Sequence, residues 1–294
     1  MSLDQLVQYL ATGITQGSIY ALVALGFAII HTVTGIINFA QGEFVMLGGM
    51  VAVTLAARLP TGVAVAVAVA AVGLFGAGLE WTFFRRLRRH TPLHMVVITI
   101  GLAILIREAA RHVWDEKVRS LPFFSGTSVS SLRLFGAALS PQVLWVLGIV
   151  GLAVLALHLT FRHTLAGRAM RACAANPDAA QLAGINLGVM RTLSFGFSAA
   201  LGALAGCAIS PLTLTQYDMG ADLAIKGFAA AALGGLGDPM AAVAGGLAVG
   251  LAEKLSISIL PAAYEDATAF AILILVLLVR PHGLLASRSA ARSG

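Results

Sequence analysis

DLAIKGFAAAALGGLGDPMAAVAGGLAVGLAEKL, residues 222–255, decides how the rest of the chain is read. The stretch is apolar enough to lie in a membrane and too long for one ordinary span of about 20 residues. At its middle Gly234, Gly235, Gly237, Asp238 and Pro239 fall within GGLGDP, a composition that breaks a helix. Two short half-helices joined by a turn at 237–239 are therefore expected, entering and leaving by one side. Irregular backbone at such depth survives only under protein or beside a water-filled cavity.

Working outward, the 294 residues are 59% hydrophobic and 11% charged. A soluble domain carries about 25% charged residues, so this is an integral membrane protein. Further apolar stretches lie at 6–30, 36–57, 62–84, 93–113, 141–161, 187–210 and 262–279. Runs such as 62–78 are continuously apolar and do not alternate, which excludes a barrel. Backbone groups in hydrocarbon must bond internally, so the stretches are read as helices. The expected fold is an all-α polytopic inner-membrane bundle of about eight hydrophobic segments, one transmembrane domain over 1–294. MSLDQLVQYL at the N-terminus has no basic region of the signal-peptide kind, so the first helix is expected to stay.

The net charge of +6 suits cytoplasmic loops rich in Lys and Arg better than a nucleic-acid partner. Three basic clusters carry it: Arg85, Arg86, Arg88 and Arg89; Arg162, Arg168, Arg171 and Arg191; and a tail at 280–294 with Arg280, Arg288 and Arg292. The positive-inside rule puts all three in the cytoplasm and the N-terminus in the periplasm. Three apolar stretches separate the second cluster from the tail, and an odd number of crossings cannot return the chain to the same side. The broken element at 222–255 resolves that parity by not crossing.

A second interruption, GIINFAQGEF (35–44), separates the first two stretches, and paired broken segments point to a transport pathway. Asn38, Gln41 and Glu43 cluster there. They either tie off backbone groups freed by the break or line the pathway or a gate; Gly237 and Asp238 at the other break are candidates for the same role, with Asp238 otherwise a turn residue. Gly13 with Gly17, Gly202 with Gly206, and Gly246 with Gly250 form G-x-x-x-G faces for close helix packing. Asp222 and Lys226 are expected to pair at i,i+4, and Arg107, Glu108 and Arg111 at neighbouring and i+3 spacing. No histidine pair or cysteine spacing suggests a metal site, and no cofactor is expected.

The polar segment 162–186 contains a small helix with its own start and stop signals. Asn176 suits the N-cap, Pro177 the first helical position, Asp178 the dipole and Gly184 the C′ position. A helix of about two turns is too short to stand alone, so the parent bundle or a partner must hold it. An ordinary amphipathic loop is the simpler reading.

GSIYALVALGFAII (17–30), GIINFAQGEFVMLG (35–48), GRAMRACAANPDAAQLAGIN (167–186), the 226–253 part of the opening stretch and FAILILVLLVRPHGLL (270–285) follow one another along the chain. In this set and order the sequence resembles the permease subunits of ABC importers for branched-chain amino acids, of the LivH type, over nearly its whole length. Permeases for urea and short-chain amides resemble the same pattern. The resemblance implies that 167–186 is the coupling segment docking on a separate ATPase, with Gly167, Arg168, Arg171, Asn176, Ala180 and Gly184 within it. It also implies a homologous second permease, two ATP-binding subunits and a periplasmic substrate-binding protein. No Gly-Lys dipeptide occurs, so the chain lacks a phosphate-binding loop of its own and is read as a transporter, not an enzyme.

One motif competes. Tyr217-Asp218 and Gly235-Leu236-Gly237-Asp238 match the two halves of an intramembrane aspartyl protease, whose paired carboxylates activate a water. The aspartates are expected at different depths, which disfavours that chemistry. A stand-alone secondary carrier is the other alternative.

Overall fold

The computed structural model describes residues 3–86, 91–126, 130, 132–134, 137–259, 261, 264–280 and 283. Eleven α-helices are described: α1 Leu3–Thr34, α2 Gln41–Ala56, α3 Thr61–Thr82, α4 Pro92–Trp114, α5 Pro141–His163, α6 Leu165–Ala175, α7 Pro177–Leu182, α8 Leu187–Thr213, α9 Met219–Gly234, α10 Pro239–Ser256 and α11 Glu265–Val279. A two-stranded antiparallel ribbon, Leu132–Leu134 with Ala137–Leu139, lies between α4 and α5. The expected all-α bundle is what the chain forms. Arg88, Arg89, Arg288 and Arg292 lie outside the described residues, and of the basic tail at 280–294 only Arg280 and Gly283 lie within them.

Four helices begin on a polar residue followed by proline: Thr91-Pro92, Ser140-Pro141, Asn176-Pro177 and Asp238-Pro239. In each the polar side chain accepts a backbone N–H of the first turn, while proline adds none that needs a partner. Among the described residues, five helices are long and apolar enough to cross a membrane: α1, α3, α4, α5 and α8.

The opening stretch folds as α9 and α10, bent through 119° across residues 235–238. The expected broken element is therefore present, with its turn opening two residues earlier than read. The arms are 16 and 18 residues, about 24 and 27 Å at 1.5 Å per residue, which is longer than half-helices. Both arms pack closely on α1. A Cβ on Gly250 would stand 2.3 Å from the Gly17 Cα, and one on Gly17 would stand 2.9 Å from the Leu247 Cα. The two predicted glycine faces thus pack on each other. The third meets α2, where a Cβ on Gly206 would fall 1.9 Å from the Val45 carbonyl oxygen. Small residues let backbones touch where lipid supplies no hydrophobic drive between helices.

Around this centre, α3, α4, α5 and α11 turn large apolar side chains outward: Leu74 is 74% and Leu152 is 68% exposed. The helix ends sort into two faces. On one, Trp114 donates its indole N–H to Thr54 at 2.7 Å, and Arg119 pairs with Thr215 through backbone bonds of 2.9 and 2.7 Å. On the other, Arg85 approaches Gly188, and Val33 joins Met170, Cys173 and Ala180 in one apolar cluster. Gly283 packs on Gly235, so the chain leaving α11 reaches the α9–α10 turn.

Candidate functional site

The segment α6–α7 is built from its own sequence signals. Asn176 Oδ1 accepts the Ala179 N–H at 3.0 Å, capping α7. At the far end Gly184 takes φ +85°, its N–H bonds the Gln181 carbonyl, and the Ile185 N–H bonds the Ala180 carbonyl, each at 3.0 Å. That pair of bonds is a Schellman motif, which needs a residue content at positive φ. Ala180 is buried with Met170, Cys173 and Val33, so the parent bundle holds this short helix. Burial also pushes the Cys173 thiol up, which leaves it inert. Gly167 is where α6 folds back on α5: a Cβ there would lie 2.3 Å from the Thr160 carbonyl oxygen. Arg168 and Arg171 are exposed on the opposite face, and Leu165 and Leu182 are 77% and 91% exposed. A charged and apolar surface on capped helices suits a protein partner.

At the first break, Asn38, Gln41 and Glu43 are all buried, and they do different things. Gln41 is a tie. Its Nε2 donates to the Ser198 carbonyl at 3.1 Å and its Oε1 accepts the Ser198 hydroxyl at 2.5 Å, joining α2 to α8. Asn38 accepts the Ala40 N–H at 3.2 Å through Oδ1, while its Nδ2 has no partner. Glu43 Oε2 likewise has none; it faces Gly220 at the start of α9, with Arg107 and Asp218 the charges that act on it. Buried polar atoms are nearly always bonded, so such orphans mark a place with a further task.

At the second break, Gly237 is exposed in the turn and Asp238 caps α10, its Oδ1 accepting the Met240 and Ala241 N–H groups at 2.9 and 3.2 Å. Asp218 and Asp238 flank α9 at opposite ends, about 24 Å apart along its axis. They cannot share a water, and the protease chemistry has no site here.

The pairing of Asp222 with Lys226 is not formed. Lys226 Nζ reaches Glu253 at 2.7 Å and Asp266 at 2.5 Å, and lies 5.7 Å from the Tyr20 ring centroid. Lys254 pairs with Glu265 alongside. Helical spacing made Asp222 available, but a buried carboxylate lies on α10: the Glu253 side chain is 2% exposed. Arg111 pairs with Glu108 at 3.7 Å as spacing suggested, and also with Glu116. Glu80, which sequence reasoning passed over, is buried in α3 and accepts the Thr192 hydroxyl of α8. Its signal was a lone carboxylate inside an apolar stretch.

A helical bundle with two broken elements, buried orphan polar atoms at one and an exposed capped helix pair on one face, defines a multi-pass membrane protein of the transporter class. The chain belongs to the family described as branched-chain amino acid transport system / permease component, which matches residues 9–277. It is 35% identical to the high-affinity branched-chain amino acid transport system permease protein LivH of Escherichia coli K12, and 35% to LivH of Salmonella typhimurium. To BraD of Pseudomonas aeruginosa, a protein of the same description, it is 33% identical. Each likeness covers 95% of both chains. No solved structure matches.

Proposed function

We propose that the chain is the membrane subunit of an ATP-driven importer for branched-chain amino acids, working by alternating access. The observation that carries this reading is the exposed, self-capped pair α6–α7, presenting Arg168, Arg171 and Leu182. The sequence carries no phosphate loop of its own, and this exposed surface suits contact with a separate ATPase. The partners are then two cytoplasmic ATP-binding subunits, a homologous second permease and a periplasmic binding protein. Membership of the family and the printed functions of LivH and BraD support the cargo. The positive-inside rule supports an inner-membrane orientation with α6–α7 and Arg280 in the cytoplasm and the N-terminus outside.

In this reading the ATPases close and reopen beneath residues 162–186, and that movement reaches the core through the small apolar cluster joining α6 and α7 to Val33 of α1. Cargo passes at the interface with the second permease, and Asn38 and Glu43, buried within this chain at the first break, act as a gate. Gly237 and Asp238 form the turn that moves with α9 and α10. The experiment is charge reversal. Arg168→Glu with Arg171→Glu should abolish leucine uptake in cells while membrane insertion and yield stay normal. Normal uptake in that double variant would remove the docking assignment.

A further inference from the structure

Three aromatic rings meet where the two broken elements approach. Phe39, in the irregular link before α2, stands 5.4 Å from Phe228 of α9 and 6.3 Å from Phe27 of α1, centroid to centroid. Phe27 and Phe228 are 5.7 Å apart, which closes the triangle. These separations and tilts are those of attractive aromatic pairs. Phe27 is fully buried behind the other two, whereas Phe39 and Phe228 are partly open.

That opening is not part of the lipid-facing belt. Among the described residues, the large apolar side chains that are strongly exposed lie chiefly on α3, α4, α5 and α11, and α2 and α9 contribute none. In the segment that joins Phe27 to Phe39, His31 Nδ1, Thr32 Oγ1 and Asn38 Nδ2 are buried without hydrogen-bond partners. Unsatisfied polar atoms in the link between two aromatic residues suit a route for a molecule with a polar end and an apolar side chain. Backbone broken at such depth also demands a covering protein or a wet cavity.

We infer that Phe39 and Phe228, backed by Phe27, form an aromatic constriction of the translocation route, with the Asn38 amide as a donor for a carboxylate beside it. The ligand class is a small zwitterion with an apolar side chain. This rests on the transporter reading above and names the point on the route where the cargo's side chain is gripped.

The test is thiol accessibility in the complete transporter, with Cys173 and Cys207 replaced by alanine. Phe39→Cys and Phe228→Cys are treated with a small water-soluble methanethiosulfonate, with Leu152→Cys on the outer face of α5 as the lipid-facing control. Only the thiolate reacts, and each unit of pKa added by a dry surrounding lowers its fraction about tenfold. Both route positions should label at least about tenfold faster than the control, and trapping with ATP and vanadate should change their rates. Rates equal to the control in both states would overturn the constriction and leave the rings as packing. If either cysteine variant fails to accumulate, Phe39→Tyr and Phe228→Tyr replace it. A changed ratio of leucine to alanine uptake in those variants supports the constriction, and an unchanged ratio overturns it. Fast labelling in a complex that imports no branched-chain amino acid would keep the constriction and remove the cargo.

Discussion

Lys226 shows how much one side chain carries in this bundle. It sits between Glu253 and Asp266 and over Tyr20, joining α9 to α10, α11 and α1. Its side chain is 12% exposed and that of Glu253 is 2%, so removing one partner strands a charge. Lys226→Met should therefore cost about 3–5 kcal/mol, because a buried carboxylate loses its counter-ion. Adding Glu253→Leu should recover most of that loss, since an apolar pair needs no counter-charge. Thermal unfolding of the purified protein reads both, and a single variant as stable as wild type would contradict the pairing. Sequence spacing offered Asp222 as the partner and was misleading here. An i,i+4 rule sees only one helix, whereas this lysine is claimed by carboxylates 27 and 40 residues away.

At the scale of elements, the contact that shapes the centre is α1 against α10 through Gly13, Gly17, Gly246 and Gly250. Gly250→Val should push these backbones apart and destabilise by at least about 1–3 kcal/mol, the ordinary cost of overpacking. Gly148→Val on α5 is the control, because a Cβ there meets nothing within 4 Å. Thermal unfolding should separate the two variants; equal midpoints would mean the glycine contact does not hold the helices. This pairing was partly legible. The three G-x-x-x-G faces stood in the sequence, as did the break at GGLGDP and the caps of α7, because those signals are local. Which face meets which was not legible, since any small-residue face fits any other. The same limit hid the separate roles of Asn38, Gln41 and Glu43: their shared position was visible, while the Ser198 that engages Gln41 lies 157 residues on.

For the whole molecule, the bent pair α9–α10 sets the sidedness. It brings α11 back so that Arg280, the α6–α7 pair and Arg85 stand toward one face, while the links after α4 and α8 meet at the other. Such a return is what the positive-inside reading expects, because parity forbids three crossings between two clusters placed on one side. In the proposed function one face meets the energy-supplying partner and the other receives the cargo. The central claim is that this chain moves a branched-chain amino acid inward only with its partners. The most direct measurement is leucine uptake into proteoliposomes holding the two permeases, with and without the ATPases, the binding protein and ATP. Uptake only with every component present is the predicted result; uptake by the permeases alone would contradict the account and make the chain a stand-alone carrier.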